Sequence, residues 1–348
     1  MKFGGIILEW YKKNKRELPM RQTRDPYRTW VAEVILQQTR MDQGLPYLER
    51  FLKAFPDVSA LAAAREEEVL KLWQGLGYYS RARNMQASAR QVVEQMEGLM
   101  PADYQGLLAL KGVGKYTAAA IASWCYGEPK AAVDGNVSRL IARLFGIEEA
   151  INSPAGEKRV YALAGDLLDR SDPGQHNQAM IEFGALLCTP LSPRCEVCPL
   201  AAHCFACLSG KVDEFPKKIA GKKPVPSWFY FYVMTSRGET ILEKRGNSGI
   251  WRSLYQFPMT EYGAPRSEAE MVEDIHEFYS GEQVHVTGLS TPIRHQLSHR
   301  TIFARFIHVE LPSLSSKLPA EWIIVPVDQI DEYPVPRLIH RYLESVKI

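Results

Sequence analysis

The sequence lacks any apolar run long enough to span a bilayer, and its opening segment, MKFGGIILEWYKKNKRELP, lacks a cleavable signal pattern. That segment has the spacing of a capped amphipathic helix, and the two absences together predict a cytoplasmic protein without a membrane partner. Large charge excess is missing as well: 42 Lys+Arg against 40 Asp+Glu leave a net charge of +2, so composition alone does not announce a nucleic-acid binder. The excess that exists is local, +2 over residues 1–207 and +3 over 208–227, against −3 over 228–348. Cysteine is scarce, six in 348 residues, and four of the six fall together. That distribution argues against a disulfide framework and for metal ligation in a reducing compartment. Cys125 and Cys207 are left over, and Cys125, in AIASWCYG, reads as core. With 46% hydrophobic residues the chain can bury a large core, and its length favours two domains over one.

The texture changes once along the chain. Up to about residue 187, apolar residues recur at three-and-four spacing in WVAEVILQQT, VLKLWQGL, YTAAAIASW, VSRLIARLF and QAMIEFGALL, which predicts an all-α half. KVDEFPKKIAGKKPVPS then combines lysine, proline and glycine without periodicity and reads as a linker. Beyond it, FYFYVMTS, ETILEKR, HVTGLST, TIFARFIHVEL and EWIIVPV are β-rich runs between turn residues, with helices expected at 267–279 and 336–346. The tail is therefore expected to be α+β.

Four features carry chemistry. Cys188, Cys195, Cys198 and Cys204 form a C-x6-C-x2-C-x5-C run closed within 17 residues. The short step between Cys195 and Cys198 lets two thiolates converge while the wider gaps wrap a loop, an arrangement open to either a cubane iron–sulfur cluster or a structural zinc. In LKGVGKYTA, Gly112 and Gly114 let backbone amides project from a turn that opens a helix, which suits an oxyanion such as phosphate, although an ordinary helical corner has the same pattern. Asp134, in AVDGNVSRLIARLF, precedes a helix with apolar Val137, Leu140, Ile141 and Leu144, where a carboxylate serves as an N-cap whatever else it does. Glu33 interrupts the apolar WVAEVILQQT. Such a carboxylate either turns to solvent or is desolvated, with a raised pKa suited to a general acid.

Taken together and in this order, DPYRTWVAEVILQQT, LWQGLGYYSRARN, LKGVGKYTA, VDGNVSRL, NQAMIEFGALLC and the cysteine loop resemble the helix–hairpin–helix DNA glycosylases of the endonuclease III superfamily, and within it the adenine glycosylase, or MutY, branch. The likeness spans essentially the whole chain. It implies an all-α helix–hairpin–helix glycosylase domain over 1–207, with the hairpin near 104–125 and a 4Fe–4S cluster loop at 188–204, then a linker at 208–227 and an α+β MutT/Nudix-like lesion-recognition domain at 228–348. It implies a monofunctional enzyme of base excision repair that flips adenine, mispaired with 8-oxoguanine or guanine, out of duplex DNA and hydrolyses its glycosidic bond as a monomer. On the matching positions Glu33 becomes the general acid and Asp134 the stabiliser of the sugar cation. Tyr116 stands where bifunctional relatives carry a Schiff-base lysine, although Lys115 beside it could give slow strand cleavage. Gln37, Gln38 and Tyr78 are implied to prise open the base stack, Arg21 and Gln178 to contact adenine, and Gly112 and Gly114 to clamp phosphate.

The resemblance also has departures. Met20 occupies a position commonly tryptophan, and in IRHQLSHRT the lesion-reading Phe-Ser-His becomes Leu297, Ser298 and His299. SEAEMVEDIHEFYSGE lacks the REx2EE carboxylates that hold magnesium on a pyrophosphate, so recognition without hydrolysis is expected there. Two alternatives stand beside this reading, a bifunctional glycosylase for oxidised pyrimidines and a cluster-bearing DNA-binding regulator. Tyr116 speaks against the first, and the pairing of Glu33 with Asp134 against the second.

Overall fold

A computed structural model describes residues 3–37, 39–277, 284–314 and 318–346. Gln38 lies outside them. The helices in chain order are α1 (Phe3–Asn14), α2 (Pro26–Leu36), α3 (Met41–Ala54), α4 (Val58–Ala63), α5 (Glu66–Leu72), α6 (Ser80–Gln95), α7 (Tyr104–Leu108), α8 (Lys115–Tyr126), α9 (Gly135–Phe145), α10 (Pro154–Leu167), α11 (Pro173–Leu186), α12 (Phe205–Leu208), α13 (Glu268–Glu273) and α14 (Arg337–Val346). The strands are β1 (Val225–Ser236), β2 (Glu239–Lys244), β3 (Tyr255–Gln256), β4 (Met259–Tyr262), β5 (His285–Leu289), β6 (Ile293–Gln296), β7 (Arg300–Glu310) and β8 (Trp322–Pro326). No helix among the described residues is long and apolar enough to cross a membrane.

The contacts divide the chain into two compact units, residues 1–63 with 84–220 and residues 64–83 with 221–348. The first is helical, and its helix ends follow local chemistry. Asp25 caps α2 by accepting from the Arg28 amide, with Pro26 in the first turn. α11 starts in the same way at Asp172 and Pro173, while α8 and α9 stop at the left-handed glycines Gly127 and Gly146. α9 presents Val137, Leu140, Ile141 and Leu144 to a core shared with Ile7 of α1, Val160 of α10 and Met180 and Phe183 of α11. α2 is shorter than its pattern suggests. It ends at Leu36, where Gln37 turns to an extended ψ of 122° and leaves the helix.

The second unit is a mixed sheet in the order β3-β2-β1-β7-β5, with β4 also pairing with β1, β6 with β7 and β8 with β2. β1 and β7 are parallel, and the other pairs antiparallel. β1 is buried continuously from Phe229 to Met234, as a strand covered on both faces must be. Tyr230, Tyr232 and Met234 pack with Met271 of α13, and Phe231 stacks on Phe306, which in turn stacks on Tyr342 of α14. β1 begins at Val225, inside the segment that reads as linker, because its first residues pair in parallel with Arg300, Thr301 and Ile302.

Residues 64–83 belong to this unit by contact, although their helical pattern groups them in sequence with the helical half. Glu67 Oε1 accepts from Lys244 Nζ and Tyr255 Oη, both at 2.7 Å. Gln74 accepts from the Val335 amide, and Tyr79 Oη donates to the Val335 carbonyl.

Candidate active site

Three helix termini of the helical unit deliver the carboxylates and tyrosine singled out in the sequence to one cleft of about 500 Å3. Glu33 projects from the last turn of α2, Tyr116 from the first turn of α8, and Asp134 caps α9. Tyr116 Oη donates to Glu33 Oε2 at 2.7 Å. Lining the cleft leaves Glu33 some accessible surface, yet its carboxyl is deeply enclosed, and burial pushes its pKa up. The Tyr116 hydroxyl opposes that rise, the negative charge of Asp134 adds to it, and Arg21 opposes it weakly. Tyr116, buried in turn against Glu33, is raised well above the usual phenol range.

Asp134 is an N-cap and a cleft residue at once. Its Oδ1 accepts from the backbone amides of Asn136 and Val137 at 2.9 and 2.8 Å, and its Oδ2 from Asn136 Nδ2 at 2.7 Å. Burial nevertheless outweighs these donors and shifts its carboxyl upward. Behind it, Asn136 Oδ1 accepts from Arg139 Nη2 at 2.9 Å, and the same guanidinium donates to the carbonyls of Gly184 and Cys188, each at 2.8 Å. A hydrogen-bonded file thus runs from Asp134 to the first cysteine of the loop.

The wall of the cleft holds Met20, Arg21, Gln37 and Gln178. Arg21 Nε donates to Gln178 Oε1 at 3.0 Å, and its other end pairs with Glu182, which also pairs with Arg16. Glu182 is fully buried, and reading the sequence missed it. The signal was present, a lone Glu within the apolar QAMIEFGALL, the same cue that singled out Glu33. Gln37 Nε2 donates to Thr117 Oγ1 at 2.9 Å.

The other candidates lie elsewhere on the chain. The turn between α7 and α8 has Gly112 at φ +79°, where a Cβ would meet the Asn84 side chain at 2.7 Å. Gly114 caps α8 with open space about it and no side-chain cap, so first-turn amides remain free for an anion. Lys115 Nζ pairs with Glu157 at 2.7 Å, which holds its pKa up. Tyr78 belongs to the second unit. It is 53% exposed and left-handed at φ 46°, a strained backbone for a non-glycine residue. Leu297, Ser298 and His299 form the tight turn between β6 and β7, closed by the Leu297 amide donating to the Arg300 carbonyl, with Ser298 and His299 exposed.

Cys188 follows α11, Cys195 and Cys198 bracket one 3-10 turn, and Cys204 caps α12. All four are unpaired thiols on a cavity with the apolar Leu140, Leu144, Phe183 and Leu200. Donors converge on the sulfurs: Arg143 Nη1 lies 3.5 Å from Cys188 Sγ, the Leu200 amide faces Cys198, and those of Ala206 and Cys207 face Cys204. Arg143 also anchors the loop through the carbonyls of Thr189, Pro190 and Phe215. Among the described residues no three Cys, His, Asp or Glu close tightly enough to ligate a single ion. A cluster, whose thiolates bind different irons, does not require it, and the residues fit an iron–sulfur centre.

Comparison with known proteins agrees. Residues 31–163 match the HhH-GPD superfamily of base excision DNA repair proteins, 188–204 the iron–sulfur binding domain of endonuclease III, and 229–345 the NUDIX domain. The loop is the site of a 4Fe–4S cluster. Among solved structures, a thermostable thymine-DNA glycosylase is 29% identical with a TM-score of 0.56, covering 60% of this chain and 95% of its own. A trapped endonuclease III–DNA covalent intermediate, 24% identical with a TM-score of 0.52 over 60% of this chain and 94% of its own, shares the fold. The adenine DNA glycosylase of Buchnera aphidicola subsp. Baizongia pistaciae is 31% identical over 90% of this chain and 87% of its own length, and the human adenine DNA glycosylase is 35% identical over 74% and 57%. A helical base-excision glycosylase domain with a cluster loop, a Nudix-like mixed sheet following it in sequence and a relative this similar along nearly the whole length establish that the chain belongs to the adenine DNA glycosylase family.

Proposed function

We propose that the protein is a monofunctional glycosylase that excises adenine mispaired with 8-oxoguanine, or with guanine, from duplex DNA. The observation that carries this reading is the meeting of Glu33, Tyr116 and Asp134 in one cleft whose wall holds Arg21 and Gln178. Adenine leaves poorly as an anion, so protonation at N7 lowers the cost of breaking its bond to the sugar. Glu33 is the acid. Burial keeps its proton available above the ordinary carboxylate range, and the Tyr116 hydroxyl fixes one carboxyl oxygen. Departure of the base leaves positive charge on the sugar, which the Asp134 carboxylate, held by its own helix terminus, stabilises or captures.

The remaining roles follow the surroundings. Arg21, locked between Gln178 and Glu182, orients the adenine edge, with Met20 as part of the pocket wall. The exposed Tyr78 wedges the stack, with Gln37 and Gln38 filling the gap beside the extruded base. Gly112 and Gly114 offer backbone amides to phosphate. Leu297, Ser298 and His299 read the lesion opposite, without pyrophosphate hydrolysis. Tyr116 forms no Schiff base, and Lys115, paired with Glu157, is held protonated and so is a poor nucleophile. The 4Fe–4S cluster, held by Cys188, Cys195, Cys198 and Cys204, supplies structure, since hydrolysis moves no electrons, and the loop it shapes offers the positive charge of Arg194 to phosphate. The enzyme acts as a monomer on cytoplasmic, nucleoid DNA.

The test is single-turnover adenine release from a duplex with one adenine opposite 8-oxoguanine, run beside a thymine-glycol duplex and a Glu33→Gln control. The reading requires adenine loss that depends on Glu33, with strand scission only after added alkali. Nicking of the thymine-glycol strand, or binding without release, would replace it with one of the alternatives.

A further inference from the structure

The cavity of the cysteine loop has a fifth thiol. Cys207 lies three residues after Cys204, repeating the C-x2-C step of Cys195 and Cys198, and its side chain lines the same cavity as the four ligands. Cys204 caps α12 and Cys207 lies within it. Two contacts tie Cys207 to the ligand set. Its side chain sits beside that of Cys195 on the cavity wall, and its backbone amide faces the sulfur of Cys204. It forms no disulfide and is only half-buried. The segment that matches the iron–sulfur domain ends at Cys204 and leaves Cys207 without a role. Cys195, its neighbour, is only partly buried as well, so solvent reaches both thiols of the pair.

We propose that Cys207 is a reserve ligand that replaces Cys195 when the bond between iron and Cys195 breaks. The exchange balances without an electron acceptor. The Cys207 thiol gives its proton to solvent as its sulfur bonds iron, and Cys195 departs as a thiolate that takes up a proton, so neither cluster charge nor oxidation state changes. The proposal rests on residues 188–204 holding an iron–sulfur cluster.

The test compares Cys195→Ala, Cys207→Ala and the double variant, purified full-length without oxygen, by iron and acid-labile sulfide per chain and by visible absorbance. Cys195→Ala is expected to keep most of the wild-type iron and colour, and the double variant to hold about tenfold less. A folded but colourless Cys195→Ala, or a double variant as brown as the single one, overturns the proposal. Should Cys195→Ala fail to fold, iron release to a chelator decides, because Cys207→Ala retains all four assigned ligands. Faster release from Cys207→Ala than from wild type supports the reserve role, and equal rates refute it. Zinc in place of iron in the wild type would instead remove the cluster on which the proposal stands.

Discussion

Gly184→Ala tests whether the position of Asp134 is set by the crossing of two helices. A Cβ at residue 184 of α11 would sit 2.8 Å from the Cβ and carbonyl oxygen of Asn136 and 2.9 Å from its carbonyl carbon. Two of those atoms are backbone and cannot swing aside. Ordinary contact begins at 3.4 Å, so the first turn of α9 must move by about 0.6 Å, carrying its cap Asp134 with it. Overpacking of this kind costs about 1–3 kcal/mol, and a misplacement near 1 Å costs about 10²-fold in rate, which together predict a lowered Tm and roughly tenfold slower base release. Gly165→Ala is the control. It lies within α10, nothing approaches its missing Cβ, and the change is expected to stabilise by about 0.5–1 kcal/mol without touching the rate. Thermal unfolding and single-turnover release measured on both variants settle the matter. A Gly184→Ala protein with wild-type Tm and rate would show that the crossing is slack and that α9 does not position its cap.

Other perturbations have definite signs. Tyr116→Phe removes a hydrogen bond that favours the charged form of Glu33, so the alkaline fall of the single-turnover pH profile should move to higher pH, and movement to lower pH would contradict the assignment. Glu33 has a folded pKa raised above its unfolded value, so its contribution is full in acid and is lost as pH rises through the folded pKa. Glu33→Gln should therefore raise Tm relative to wild type in alkaline buffer and not in acid, and a uniform effect across pH would point to packing instead. Glu67 is held below its ordinary 4.5 by hydrogen bonds from Lys244 and Tyr255, so its contribution is present above that value and lost as pH falls through the lowered one. Glu67→Gln should cost about 1 kcal/mol at neutral pH and progressively less in acid, read by denaturant titration at both. Cys198→Ser should yield a colourless protein with weakened DNA binding, and a fully active colourless variant would show that the cluster is dispensable.

Local cues carried far in this chain, and long-range ones did not. Asp134 was legible as a cap and Glu33 as a carboxylate out of place, because both signals lie within a few residues. Their convergence with Tyr116 was implied by family likeness and by nothing in the spacing. Glu182 carried the cue of Glu33 and went unused, since only the fold brings Arg16 and Arg21 to it. The end of α2 at Leu36 was hidden because glutamine is a good helix former, and the turn at Gln37 is instead tied to Thr117, eighty residues away. The helical pattern of 64–83 was plain, yet its partners Lys244, Tyr255 and Val335 lie far along the chain. The parallel pairing of β1 with β7 and the short β3, β4 and β6 escaped for the same reason: register is a property of two strands, and each was read alone.

The file from Asp134 through Asn136 and Arg139 to the carbonyl of Cys188 gives the carboxylate and the metal loop a common mechanical footing. The Cys188 carbonyl, together with Asn136 Oδ1 and the Gly184 carbonyl, holds the Arg139 guanidinium in line. Strain at the root of the cysteine loop and strain at the cap of α9 therefore share one line of transmission, although the two lie more than fifty residues apart in sequence.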